Sequence, residues 1–280
     1  DLGMLSSSEW ADIDGDGSNE LILAGHWMPI SVFKYVDKQF ENKTEEFGLA
    51  NTAGWWNAIS LADLDHDGFL DIIAGNWGQN SIFRATPEEP IRLYVNDFDK
   101  NGKEEPILTL YLEGVDGLLY GRSEVCQAMP AYFNKFQKYE TFAKASVPEI
   151  LTPELFQSTL PLEVNELTTG VFFNDKQDKF VFKPLPWECQ VAPITAFLHT
   201  GKGEFLLGGG FNQNHYLGGN IVGFNGYKLM VDNARNMQVE TNVFGPIDPS
   251  VVINNMGLIS AGNERLIILA LNGKEPRIYR

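Results

Sequence analysis

The sequence predicts an all-β fold assembled from repeated antiparallel units. Three observations carry that prediction. Short apolar runs rich in β-branched residues, among them 21–25, 72–75 and 170–173, are bounded by glycine and turn residues, as buried strands are. The runs recur with similar flanks at a period that points to a propeller or a solenoid. Three of the connections between strands share one carboxylate-rich pattern.

That pattern organises the chain. The first copy is Asp12-Ile13-Asp14-Gly15-Asp16-Gly17-Ser18-Asn19-Glu20. The second is Asp63-Leu64-Asp65-His66-Asp67-Gly68-Phe69-Leu70-Asp71, and the third Asp97-Phe98-Asp99-Lys100-Asn101-Gly102-Lys103-Glu104-Glu105. Carboxylates packed into one turn repel each other, and a hard divalent cation removes the repulsion. Oxygens from positions 1, 3, 5 and 9, with the carbonyl of position 7, suit Ca²⁺ at roughly 2.3–2.6 Å. The expected ligands are Asp12, Asp14, Asp16, Ser18 and Glu20; Asp63, Asp65, Asp67, Phe69 and Asp71; and Asp97, Asp99, Asn101, Lys103 and Glu105. About three ions follow. The glycine at position 6 permits the sharp turn. An EF-hand is excluded, because position 12 is Leu23, Ala74 and Leu108 rather than glutamate. The other reading is a set of ion-free Asp-Gly hairpin turns.

In order, residues 1–50 read as four short strands around the first loop. Residues 51–95 repeat the theme around the second loop in a shortened unit, since the third loop follows early. Residues 121–162 change texture: Val125, Met129, Tyr132, Phe133, Phe136 and Ala143 recur at helical spacing, and Thr152-Pro153 reads as a helix start. This is a helical insertion on a β scaffold. Strands resume at 170–173. Residues 196–210 echo 62–76 with the acids lost, Phe197, His199 and Gly201 standing in their places; 220–224 and 227–231 complete that unit, and a weaker fifth unit runs from Val251. One domain, or a fragment of one, spans 1–280. Trp10, Trp27, Trp55 and Trp56 are expected in the cores.

The chain has 280 residues, 44% of them hydrophobic, and a formal net charge of −16. That acidity argues against nucleic acid and anionic membranes, and no apolar run is long enough for a transmembrane segment. The chain begins at Asp1 with no signal peptide in view, which reads as a mature product or a fragment. Cys126 and Cys189 do not make a disulfide scaffold, and buried free thiols are expected. Carboxylate loops suit millimolar external Ca²⁺, so an extracytoplasmic location is expected, secreted, periplasmic or on the cell surface.

Asp-x-Asp-x-Asp-Gly loops followed by apolar strands ending in Ala-Gly resemble FG-GAP/VCBS repeats, the calcium-binding blades of integrin-α-like β-propellers. The run from Gly54-Trp55-Trp56-Asn57 to Asn76-Trp77-Gly78-Gln79-Asn80 is similar to bacterial VCBS-repeat proteins of the ASPIC/UnbV type. The resemblance covers residues 1–230. It implies a β-propeller, of which the units read above make about five blades, and a secreted or surface-attached protein, often part of a longer chain.

No nucleophile elbow, zincin helix or complete P-loop is present. Of the four histidines, His66 is a spacer within the second loop and His199 stands in the acid-free fourth; His26 and His215 follow strands near the amide-rich turns and read as turn histidines rather than acid/base groups, so no catalytic residue is assigned. Two turns stand out at equivalent repeat positions: Asn76, Trp77, Gln79 and Asn80, and Asn212, Gln213, Asn214, His215 and Tyr216. Amides beside aromatics suit a sugar; they also suit turns that simply hold themselves. The expected function is a non-enzymatic adhesion or recognition module for a glycan or an extracellular protein. The alternative is a polysaccharide-degrading propeller enzyme of the rhamnogalacturonan-lyase kind, since fold alone does not decide function.

Overall fold

The computed structural model describes residues 2–175, 179–201, 203–215, 219–221, 225–245, 247–248, 251–262 and 264–280. The chain forms two compact units, Asp1–Ile82 with Leu167–Arg280, and Phe83–Glu166.

The larger unit carries four antiparallel sheets. The first runs in order Met4–Ala11, Glu20–Met28, Ser31–Val36, Gln39–Asn42, with Gly54–Trp55 paired to the end of Glu20–Met28. The second has the order Phe180–Pro184, Gly170–Asn174, Asp71–Gly75, Ala58–Ala62. The third is Ile194–Gly201, Glu204–Gly209, Tyr227–Val231, Met237–Thr241, and the fourth Ile253–Ala261, Glu264–Leu271, Arg277–Tyr279. A separate hairpin joins Phe211–His215 to Gly219–Ile221. Among the described residues no sheet closes on itself.

The central strands are apolar on both faces because successive side chains enter different cores. Ile72 and Phe172 join Ile22, Val32 and Trp56 in the core shared by the first and second sheets. Their neighbours Ile73 and Phe173 join Ile194, Phe205 and Leu207 in the next core. Leu206 turns the other way, onto Ile253, Met256 and Leu269. Each such side chain stabilises the fold by about 1.5–3 kcal/mol through burial. Close approach fixes the glycines that end the second strands: a Cβ at Gly75 would lie 2.3 Å from the Ile194 carbonyl, and one at Gly209 2.0 Å from that of Pro193.

The smaller unit has one antiparallel sheet, Val115–Leu118, Glu105–Leu112, Ile91–Asn96, Leu162–Val164. Five short helices lie between its strands: Arg122–Ala128, Tyr132–Lys135, Tyr139–Lys144, Val147–Ile150 and Pro153–Ser158. Val125, Met129, Tyr132 and Phe136 bury against Tyr94, Phe98 and Ile107, while Phe133 stays exposed. Arg122 ties the helices together by donating to the Phe136 carbonyl between the rings of Phe133 and Tyr139.

The structure differs from the sequence expectation at three places. The unit around the second loop is not shortened: strands Gly170–Asn174 and Phe180–Pro184 complete its sheet after the intervening unit. The third loop belongs to a different sheet. Met237–Thr241 completes the third sheet, not residues 220–224, of which 222–224 lie outside the described residues. Trp10 is no core residue; it is 49% exposed, edge-on to Phe40. Trp55 and Trp56 are buried and Trp27 half-buried.

Candidate metal centres

Each carboxylate loop connects two antiparallel strands, and the same backbone frame recurs in all three. Position 4 is left-handed as well as position 6: Gly15 and Gly17, His66 and Gly68, Lys100 and Gly102 all have φ between 58° and 95°. The position-1 aspartate accepts the amide of position 6: Asp12 from Gly17 at 2.9 Å, Asp63 from Gly68 at 3.1 Å, Asp97 from Gly102 at 2.8 Å. The position-9 carboxylate accepts the amide of position 2: Glu20 from Ile13 at 3.0 Å, Asp71 from Leu64 at 2.9 Å, Glu105 from Phe98 at 3.1 Å. Ile13, Leu64 and Phe98 are themselves buried, so each loop is pinned to a core.

This frame brings positions 1, 3 and 9 together. Carboxylate oxygens of Asp12, Asp14 and Glu20 lie within 4.8 Å of one another, as do those of Asp63, Asp65 and Asp71, and of Asp97, Asp99 and Glu105. Position 5 braces the loop as well. Asp16, Asp67 and Asn101 each accept the amide of position 7, at Ser18, Phe69 and Lys103.

The donor sets fit a hard cation. Glu20 Oε1 and Asp65 Oδ1 are buried oxygens without a hydrogen-bond partner. Burial, with Asp65 and Asp67 nearby, pushes the Asp71 carboxyl up to about 7. Burial first, then neighbouring carboxylates, also raises Glu20 and Glu105 above the ordinary range. Carboxylates held this way are stabilised by a cation among them.

Basic side chains approach two of the loops. Lys34 donates to Asp14, and to Asp16 at 2.8 Å, and lies 3.5 Å from Glu20. Burial works against its charge, but the bonds to Asp14 and Asp16 outweigh that and hold its pKa above the usual lysine value. At the second loop Arg235 donates to Asp65 at 2.6 Å and reaches Asp175 at 3.6 Å, its guanidinium over the Phe173 ring. No lysine or arginine pairs with the carboxylates of the third loop among the described residues. Sequence reading overlooked Lys34, Arg235 and Asn174, which donates its amide to Asp71 and its side chain to the Ile13 carbonyl. Lys34 was findable, since it stands opposite Glu20 across one hairpin. Arg235 lies 170 residues from Asp65, and no local signal reports it.

Residues 12–74 match the FG-GAP-like repeat. That match spans the first two loops and ends within the strand Asp71–Gly75. No curated protein sequence matches the chain. The third loop shares the hydrogen-bond frame of the FG-GAP-like repeat although it falls outside the matched residues.

The amide-rich turn that follows the strand Asp71–Gly75 is built into the fold. Asn76 is buried and accepts from Trp55 and Trp77; Gln79 donates to Thr168 and Asn80 to the Val191 carbonyl. Trp77 packs edge-on against Trp55 and Phe211. Asn212, Gln213, Asn214 and His215 lie on the strand Phe211–His215; their side chains, and Tyr216 altogether, are outside the described residues. His26 meets Asn57 at 3.2 Å and His199 stacks on Phe205. Cys126 and Cys189 are both buried free thiols. No described helix is long and apolar enough to cross a membrane.

Proposed function

We propose that the chain is a calcium-stabilised repeat module of β-propeller type, which recognises a glycan or a protein outside the cell without catalysing a reaction. One observation carries the reading: three loops on different sheets converge the carboxylates of positions 1, 3 and 9 on one frame. Asp12, Asp14 and Glu20, Asp63, Asp65 and Asp71, and Asp97, Asp99 and Glu105 would hold the ions. Bound Ca²⁺ neutralises the carboxylates and fixes the strand connections. External calcium concentrations match such loops, which supports the extracytoplasmic assignment, and the repeat match supports a module of the binding or adhesion type.

Calorimetry on chelator-stripped protein tests this. Each filled site stabilises by about 2.7 kcal/mol at one hundred times its dissociation constant, so Ca²⁺ should raise Tm and titrate at about three sites. A stripped protein that melts where the loaded protein does refutes the metal reading. Calcium-dependent capture on a glycan or extracellular-protein array tests the recognition half.

A further inference from the structure

The larger unit contains a polar well that no loop or turn discussed above occupies. The strands Met4–Ala11, Ala58–Ala62, Ile194–Gly201 and Ile253–Ala261 each form an edge of their own sheet, and they lie side by side in that order. Between them is a cavity of about 370 Å³. Pockets for small organic ligands start near 300 Å³, so this one holds one or two sugar rings.

Its lining is chemically specific. Its exposed surface is almost wholly polar, and Ser7, Glu9, Asn57, Ser60, Asn254 and Asn255 are among the residues that line it. Glu9 is half-buried, no lysine or arginine pairs with it among the described residues, and burial raises its carboxyl above the ordinary range. Asn57 presents its Oδ1 to His26, while its Nδ2 is buried without a hydrogen-bond partner. Ser7 accepts the Ile59 amide at 3.2 Å, which leaves its hydroxyl proton to donate. Ser60 and Asn254 make no side-chain hydrogen bond among the described residues. A buried donor without an acceptor is costly, and so is a half-buried carboxylate without a donor.

We infer that this well binds the terminus of an uncharged saccharide, Glu9 accepting from adjacent hydroxyls and Asn57 Nδ2 donating to a ring or hydroxyl oxygen. A hydroxyl both donates and accepts, so a polyol satisfies every group in the well at once. An anion does not, because Glu9 repels it and no lysine or arginine lines the cavity among the described residues. The inference rests on the recognition reading above and places the sugar in a cavity that no residue of the Asn76 turn lines.

The test is saturation-transfer NMR on the calcium-loaded chain with lactose, cellobiose and maltose, and with glucuronic acid as the anionic probe. At least one neutral disaccharide should bind and glucuronic acid should not. Glu9→Gln, which keeps the shape, should weaken binding about tenfold, the loss of one charge-assisted bond. Ser60→Trp should abolish binding by filling the well, with the calcium titration unchanged as the check on folding. Binding of none of the three disaccharides, or a preference for glucuronic acid, overturns the saccharide assignment. Disaccharide binding that survives both substitutions overturns the well while leaving the recognition reading intact. Failure of the calcium titration in wild type is the separate result that strikes the underlying module.

Discussion

Replacing Lys34 by methionine removes an ammonium and keeps an unbranched side chain of similar length. In the wild type the ammonium donates to Asp14 and Asp16 and lies 3.5 Å from Glu20. Asp14 and Glu20 are two of the three carboxylates that converge in the first loop, so Ca²⁺ held there must displace Lys34. A charge-assisted hydrogen bond contributes about 1.5–3 kcal/mol net. The lysine is 21% exposed, so water screens the pair in part and the lower end applies. Since 1.4 kcal/mol is about tenfold in Kd, Lys34→Met should tighten calcium at this loop about tenfold. Isothermal titration of stripped protein reads this directly, as one event shifted and the others unmoved. The stripped variant should also melt below stripped wild type, because its carboxylates have lost a counter-charge, and its gain in Tm on adding Ca²⁺ should be larger. Unchanged or weakened affinity at the first loop would mean that Lys34 props the loop in its binding shape, and the competition argument would be wrong.

Other outcomes follow from the same geometry. The ion-free protein should lose stability as pH rises from about 4 to about 7. Asp71 has its folded value near 7, above an unfolded value of about 3.9, so the folded state holds the proton more tightly; the loss is at most about 4 kcal/mol. Urea unfolding at pH 4 and pH 8 in chelator measures it, and saturating Ca²⁺ should reverse the trend. Cys189, buried and pushed up to about 12, should not react with an aromatic disulfide reagent at pH 8 until the protein is unfolded. Gly75→Ala should cost about 1–3 kcal/mol by overpacking against the Ile194 carbonyl, seen as a lowered denaturation midpoint.

Local chemistry was legible and long-range pairing was not. Positions 1, 3 and 9 of each loop could be named because a hairpin connection is a local object whose alternating acids and glycine fix its shape. The first sheet was legible for the same reason, its four strands following one another through tight turns. The second sheet was not, because Asp71–Gly75 pairs with Gly170–Asn174 across an intervening unit. Apolar runs buried on both faces carry no alternation to say which neighbour they join. Trp10 misled because an aromatic in a strand pattern reports a half-buried surface, not which side is covered. The left-handed fourth loop position went unread at His66 and Lys100, where no glycine marks it.

The basic side chains also bear on the ranking of the three sites. Counted at the ligand positions 1, 3, 5 and 9, the first two loops offer four carboxylates each and the third offers three, Asp97, Asp99 and Glu105, so the third should bind weakest. The structure changes the count. Four carboxylates less the Lys34 ammonium leaves three negative charges in the first loop, and four less the Arg235 guanidinium leaves three in the second. The third keeps its three, since Lys100 and Lys103 make no ion pair with them among the described residues. Affinity in such loops follows ligand charge, so the wild-type events should fall within about tenfold of one another. Removing both cations, as Lys34→Met with Arg235→Gln, should then split them into two tight events and one weaker, with Asp99→Ala deleting the weak one. A third loop already about a hundredfold weaker in wild type would show that Lys34 and Arg235 leave their carboxylates at no cost, and that the sequence count alone governs the order.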